Sequence, residues 1–211
     1  RAELKTVFGR FAGIPPEEFA FVRNTTEALN VVLQGVPLEA GEEVLYCSRE
    51  YPSMQEALEQ RAMRYGTVNR VIDLPWLPTS QDEVVQAYAE AITPRTRYIL
   101  VSHMIYLTGQ VLPVRAISDM AHGRGIEVIV DAAHSFAHLD WKVPDLGADY
   151  LAAGRLVQAE QALTESFDIQ NGTSHTEVSR EDVLLRHLAR VHERLGHCDK
   201  AVAANERILE L

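Results

Sequence analysis

Between residues 19 and 150, short apolar runs alternate with longer segments whose apolar residues recur at helical spacing, and this alternation constrains the fold more than any other feature. Phe19–Val22, Val44–Cys47, Val68–Leu74, Tyr98–Ser102 and Ile126–Val130 read as strands. Thr26–Gln34, Ser53–Arg64, Gln81–Ala91 and Val114–Gly123 read as the helices between them. Strands that are apolar almost throughout, such as Ile126-Glu127-Val128-Ile129-Val130, suit a parallel sheet covered by helices on both faces. The βαβα order therefore predicts an α/β fold with a mostly parallel sheet.

The pattern ends after Tyr150. From Ala152 onward there is no proline and no further strand signal, and the composition is rich in alanine, leucine and arginine. A helix-like run from Gly154 to Ile169 is followed by the polar break Gln170–His175, a second helix over Glu181–Leu195 and a third from Gly196 to Leu211. Setting Gly154 over Gly196, an offset of 42 residues, aligns Ala159 with Ala201, Ala162 with Ala204, Phe167 with Leu209 and Ile169 with Leu211. Small residues three apart, followed by large apolar ones, suit helices that pack closely in pairs. This segment resembles a tetratricopeptide (TPR) repeat of the longer kind; an ordinary helical tail is the plainer alternative. The expected division is 1–151 for the α/β part and 152–211 for a helical TPR-like segment. A chain that opens on Arg1 also reads as a truncated piece of a longer protein.

Composition narrows the function. A net charge of -10 argues against nucleic acid and anionic membrane surfaces as partners. The two cysteines, Cys47 and Cys198, show no metal-binding spacing and fit a reducing, cytoplasmic setting. No GxGxxG, Walker A or Gly-x-Ser-x-Gly pattern occurs, which disfavours dinucleotide, P-loop and serine-hydrolase chemistry.

Four segments that follow or begin at expected strand ends carry the chemically capable residues. Asn24 opens a helix, with Glu27 three residues on completing a capping-box arrangement. The hydroxyls of Thr25 and Thr26 at that helix start would suit a phosphate, although most such threonines only cap. Tyr51, in Ser48-Arg49-Glu50-Tyr51-Pro52-Ser53, offers a ring to a flat ligand, or else packs at a helix entry. His103 and Tyr106 follow the next strand, and Asp131 and His134 the one after. A carboxylate at the carboxyl edge of a parallel sheet sits where such folds take ligands; a strand-end aspartate that merely caps a helix is the competing reading. Convergence of these groups on one sheet edge is what a cofactor site requires.

The ordered series Asn24-Thr25-Thr26-Glu27-Ala28-Leu29-Asn30, Glu50-Tyr51-Pro52-Ser53, Ser102-His103 through Gly109-Gln110-Val111-Leu112-Pro113, Val130-Asp131-Ala132-Ala133-His134 and Gly147-Ala148-Asp149-Tyr150 resembles the class V aminotransferase group of fold-type I pyridoxal-phosphate (PLP) enzymes. Its nearest branch is the isopenicillin N epimerase-like and cysteine desulfurase-like one. The resemblance implies that Thr25 and Thr26 cradle the cofactor phosphate, Tyr51 stacks on the ring, Asp131 meets the pyridine nitrogen, and His134 lies near the phenolic oxygen. It also places Tyr106 toward cofactor or substrate, and it implies an amino-acid substrate and a homodimer. In this family a His-Lys pair follows the Ala-Asp-Tyr segment, and its lysine attaches the cofactor and moves the substrate proton. Those two positions fall on Leu156 and Val157, so no catalytic residue is assigned and covalent attachment is not expected. The chain has three lysines, Lys5, Lys142 and Lys200, and Lys142 reads as a solvated loop residue. The expectation is an inactive PLP-binding domain of this family; a scaffold acting through the TPR-like tail is the alternative, with a protein partner for that tail.

Overall fold

The computed structural model describes residues 2–153. The TPR-like segment and the Leu156 and Val157 positions lie outside the described residues. The described residues fall into two parts, 2–20 and 21–153, each described by itself.

In the first part, helix α1 (Ala2–Ala12) leads to a 3-10 turn at Pro16–Glu18. The strand expected over Phe19–Val22 does not form. Lys5 Nζ donates to the carbonyls of Pro16, at 3.2 Å, and Phe19, at 2.9 Å, and sits 5.2 Å from the Phe19 ring centroid. Phe8 packs on the same ring at 4.8 Å. The carbonyl that a strand would give to a sheet is thus committed to a side chain, and the apolar ring to a helix.

The second part is built on five parallel strands: β1 (Glu43–Cys47), β2 (Val68–Ile72), β3 (Thr96–Ser102), β4 (Glu127–Asp131) and β5 (Tyr150–Ala152). Their order is β2-β1-β3-β4-β5, with every pair parallel. Helices α2 (Thr25–Gly35), α3 (Pro52–Tyr65), α4 (Gln81–Ala91), α5 (Val114–His122) and the short α6 (Val143–Leu146) complete it. Each of the four helices expected between the strands is present to within a residue or two at its ends, and four of the five expected strands are present; the three helices expected from Gly154 onward lie outside the described residues. Sequence reasoning missed α1, α6 and β5, all of which lie at the margins of the periodic pattern.

Alternation along the strands sorts the core. Val44 and Tyr46 of β1, with Tyr98 and Leu100 of β3 and Ile129 of β4, meet Leu29 and Leu33 of α2 and Met54, Ala57 and Leu58 of α3. The intervening residues Leu45, Ile99, Val101, Val128 and Val130 are equally buried on the other face, where α4 and α5 bring Val84, Tyr88, Ile117 and Ala121. The central strands are covered on both faces, as their uninterrupted apolar character requires. β2 is an edge strand and leaves Val68 and Val71 partly exposed.

Local chemistry sets the element ends. Asn24 caps α2, its Oδ1 accepting from Glu27 N at 2.8 Å. The reciprocal half of the expected capping box is replaced: Glu27 accepts from Arg23 N at 2.7 Å and pairs with the Arg23 guanidinium at 3.0 Å. An ion pair one turn away competes successfully for the carboxylate that the neutral Asn24 N–H would have received. Gly66 ends α3 with φ +71, a conformation that L side chains adopt only at a cost. Asp149 ties the start of β5 to β4, since its Oδ2 accepts from Val128 N at 2.7 Å and meets His122 Nε2 at 2.8 Å.

Candidate active site

All five strands run in one direction, so their carboxyl ends share one edge. Three neighbouring central strands deliver polar residues there: Glu50 and Tyr51 after β1, Ser102 and His103 at the end of β3, and Asp131 at the end of β4. Ser102 and Asp131 are register partners, and His103 N donates to Asp131 O at 2.9 Å. This edge is where open α/β sheets place ligands, because helix starts and loop side chains gather beyond the strand ends.

Glu50 joins two of these loops. Its Oε1 accepts from Ser102 N at 2.9 Å, and its Oε2 takes the Ser102 hydroxyl. The side chain is fully buried, and that burial pushes its carboxyl up to about 8, with the charge of Asp131 adding to the shift. Glu50 is thus held as the neutral acid near pH 7. Sequence reasoning assigned it no role, because an acid after a strand reads as solvated; only the depth of the loop reveals otherwise.

Asp131 is 7% exposed, and burial raises its pKa, opposed by the Ala133 N–H that reaches Oδ1 at 2.9 Å. Among the described residues Oδ2 has no hydrogen-bond donor. His134, half-buried three residues on, exerts a lowering influence on the same carboxyl. Its carbonyl accepts from His138 Nδ1 at 2.7 Å. His103 is buried with Nδ1 unpartnered among the described residues, and burial lowers its pKa. Its ring packs edge-on against Trp141 at 5.1 Å, and Trp141 packs on Phe136 at 5.4 Å. The sequence placed His103 on this edge without giving it a part; burial of an imidazole with an open nitrogen makes it a candidate.

Tyr51 and Tyr106 come together from separate loops, with ring centroids 5.1 Å apart in an edge-to-face arrangement. Both rings are partly exposed. Thr25 and Thr26 form the first turn of α2, which packs against β4, β5 and α3. Neither threonine hydroxyl bonds to another of the described residues, and no hydrogen bond or ring contact among those residues links them to Tyr51, Tyr106 or Asp131. Tyr51 with Tyr106, and Asp131 with His134, are therefore paired directly, while Thr25 and Thr26 approach through the helix that carries them. Lys142 is exposed, and its backbone N–H donates to Asp145 Oδ2 at 2.7 Å at the start of α6.

The residues fit a phosphorylated pyridine ring. A buried carboxylate with one oxygen open suits a ring N–H; two first-turn threonines at a helix start suit a phosphate. Two partly exposed aromatic rings, on loops after β1 and β3 at the same sheet edge, suit a planar ligand.

A model of the class V aminotransferase family matches residues 2–155. The isopenicillin N epimerase of Streptomyces clavuligerus is 36% identical over 150 residues, covering 71% of this chain and 38% of that protein. The Amycolatopsis lactamdurans isopenicillin N epimerase is 39% identical over 145 residues, covering 67% and 36%. Among solved structures, a C-DES mutant with glycine covalently linked to its PLP cofactor superposes with a TM-score of 0.66 at 26% identity, covering 72% of this chain and 40% of that one. Cysteine desulfurase CsdA from Escherichia coli gives 0.63 at 26%, covering 71% and 38%. The chain spans well under half the length of these relatives. With the parallel sheet, its edge and the ordered motifs in agreement, the chain belongs to the class V aminotransferase family, whose cofactor is pyridoxal phosphate.

Proposed function

We propose that residues 21–153 form the PLP-binding platform of a class V aminotransferase-type protein acting on amino acids, and that this chain holds the cofactor without a covalent bond. The observation that carries the reading is Asp131: a buried carboxylate at the end of a central parallel strand, with one oxygen bonded inward and the other open. When bound, the protonated pyridine ring withdraws electrons from the carbon bearing the substrate's amino group.

The roles of the chain's own residues follow from their placement. Asp131 holds the proton on the ring nitrogen, and an N–H bonded to it offsets the burial that raises its own pKa. Thr25 and Thr26 donate to the phosphate with the first-turn N–H groups of α2, whose partial positive charge favours a dianion. Tyr51, with Tyr106 edge-on against it, would stack on the ring, and Tyr106 would face the substrate. His134 donates near the phenolic oxygen. His103, kept neutral by burial, offers an uncharged ring on the same edge.

Leu156 and Val157 stand where the family carries its His-Lys pair. Neither side chain can bond covalently to the cofactor or transfer a proton, so the chain binds PLP but does not turn over substrate by the family's route. The parent arrangement as a homodimer belongs to the same reading.

Absorbance titration with PLP, followed by borohydride treatment and mass spectrometry, tests it. Saturable binding without a covalent adduct is expected. Asp131→Asn and Tyr51→Ala should each weaken binding by about tenfold or more, as loss of a charge-assisted hydrogen bond or of a stacked ring does. A borohydride-stable adduct on Lys142 refutes the noncovalent reading, and variants that bind PLP like the wild type remove the site assignment.

A further inference from the structure

Beside the edge described above, a cleft of about 440 Å³ opens between the connection from β2 to α4 and the Thr108–Pro113 loop. Trp76, Leu77, Val84, Thr108, Gln110 and Val111 are among its walls. Trp76 and Leu77 are 66% and 90% exposed, so large apolar surface faces solvent beside a ligand edge.

Two unsatisfied polar groups lie at this cleft: Gln110 is one of its walls, and Arg49 packs behind the wall made by Trp76. Arg49, the residue before Glu50, is 7% exposed, and its Nε and Nη1 have no acceptor among the described residues. Only Nη2 is bonded, to Pro75 O at 3.2 Å. The nearby Asp73 accepts from the Ser48 hydroxyl, and no carboxylate among the described residues pairs with Arg49. A buried guanidinium with two N–H groups left open lacks the partners that burial demands, and an acceptor is called for. The second group is Gln110, whose Oε1 is buried and has no donor among the described residues.

Trp76 connects the two. The Arg49 guanidinium lies 4.6 Å from the indole centroid, and the same indole is a wall of the cleft. Stacking engages the face of the guanidinium and leaves its in-plane N–H groups free for a fork of two bonds. The indole is mostly exposed on a connecting loop, so it can turn aside at small cost and open those donors to the cleft.

We propose that this cleft is a subsite for the charged end of a small amino-acid ligand, with Arg49 taking the carboxylate and Gln110 the ammonium group. An orphaned cation behind one wall of the cleft and an orphaned acceptor on another match the two charges of a zwitterion, whereas neither a hydrocarbon nor a polyanion would satisfy both. The proposal deepens the amino-acid reading given above and rests on it for the ligand class. It names Arg49, on the same loop as Tyr51, as a residue that recognises the substrate.

The test uses the full chain without PLP, in a Trp141→Phe background so that Trp76 alone reports. Emission is followed at fixed ionic strength during titration with L-alanine, propionate and ethylamine. Saturable changes are expected with L-alanine and propionate and none with ethylamine. Arg49→Gln should weaken both responses by about tenfold or more, and Arg49→Lys, which keeps the charge but loses the fork, should weaken them less. Gln110→Leu should leave propionate unchanged and remove the advantage of L-alanine over it. Equal responses in wild type and Arg49→Lys, or an ethylamine response equal to that of propionate, overturn the proposal. Should Arg49→Gln fail to fold, Arg49→Lys and Gln110→Leu still decide it. PLP absorbance is measured on the same samples: cofactor binding with no amino-acid response sinks the subsite alone, and a response without cofactor binding sinks the PLP reading alone.

Discussion

Replacing Glu50 by glutamine should change how the stability of this protein depends on pH, more than how stable it is. The carboxyl is fully buried and pushed up to about 8 from an ordinary 4.5, chiefly by burial. A raised folded-state pKa means that the native chain keeps a proton which the unfolded chain releases. The stabilisation is therefore complete below about pH 4.5 and is lost as pH rises through 8. The full shift corresponds to about 5 kcal/mol, of which about 2 kcal/mol is lost between pH 6 and pH 8. Glutamine copies the neutral acid: its oxygen accepts from Ser102 N, and its amide donates to the Ser102 oxygen that the acid now meets. Urea unfolding between pH 5.5 and 8.5, followed by circular dichroism, should show the two proteins within about 1 kcal/mol at the acid end. The variant should become the more stable one above pH 7. All other titratable groups are common to both proteins, so the difference between the two curves reports Glu50 together with its coupling to Asp131. Parallel stability curves across the whole range would refute the buried neutral acid. A large, pH-independent loss in the variant would show instead that the anion is the bound form.

Three further outcomes follow from the same geometry. Asn24→Ala removes the acceptor for Glu27 N and should cost about 1 kcal/mol, read as a lowered urea midpoint with unchanged slope. Gly66→Ala forces an L side chain to φ +71, with the new Cβ 3.4 Å from that of Ala40, and should cost about 1–2 kcal/mol in the same assay. His103 should titrate below 6.5 by NMR, because burial disfavours its cation; its contribution to stability is present above 6.5 and lost as pH falls through the depressed value. An unshifted His103 would show that its ring is solvated.

The sheet was legible because its strands are buried on both faces: Ile99, Leu100 and Val101, or Val128, Ile129 and Val130, admit no polar residue and so stand out as unbroken apolar runs. Phe19–Val22 shows the same signal and is no strand, since an apolar run does not reveal what its carbonyls will bond, and Lys5 takes that of Phe19. β5 was hidden for the opposite reason. Three residues are too few for a period, and Asp149, which ties the strand in place, acts through a carboxylate twenty-one residues from Val128. At the site, Asp131, His134, Tyr51 and Tyr106 were visible as types in an order. Glu50 and Arg49 were not, because their importance lies in being buried where charged side chains ordinarily face water.

Glu50 and Asp131 differ less in chemistry than in where their oxygens go, and that difference assigns their roles. Two carboxyl groups on one buried edge cannot both ionise freely, since each charge raises the cost of the other. Glu50 is fully buried, and among the described residues no cation pairs with it; burial outweighs the two bonds from Ser102, which favour the anion, so it is the one that retains the proton. Asp131 has one oxygen held by Ala133 N and one open, and His134 already favours its charge. A cationic N–H arriving at the open oxygen completes the separation: Asp131 ionises against it, and Glu50 is driven further toward the neutral form that fastens the loop bearing Tyr51. Binding at Asp131 and the proton on Glu50 are then one linked equilibrium, and Glu50→Gln should remove that link while leaving Asp131 its charge.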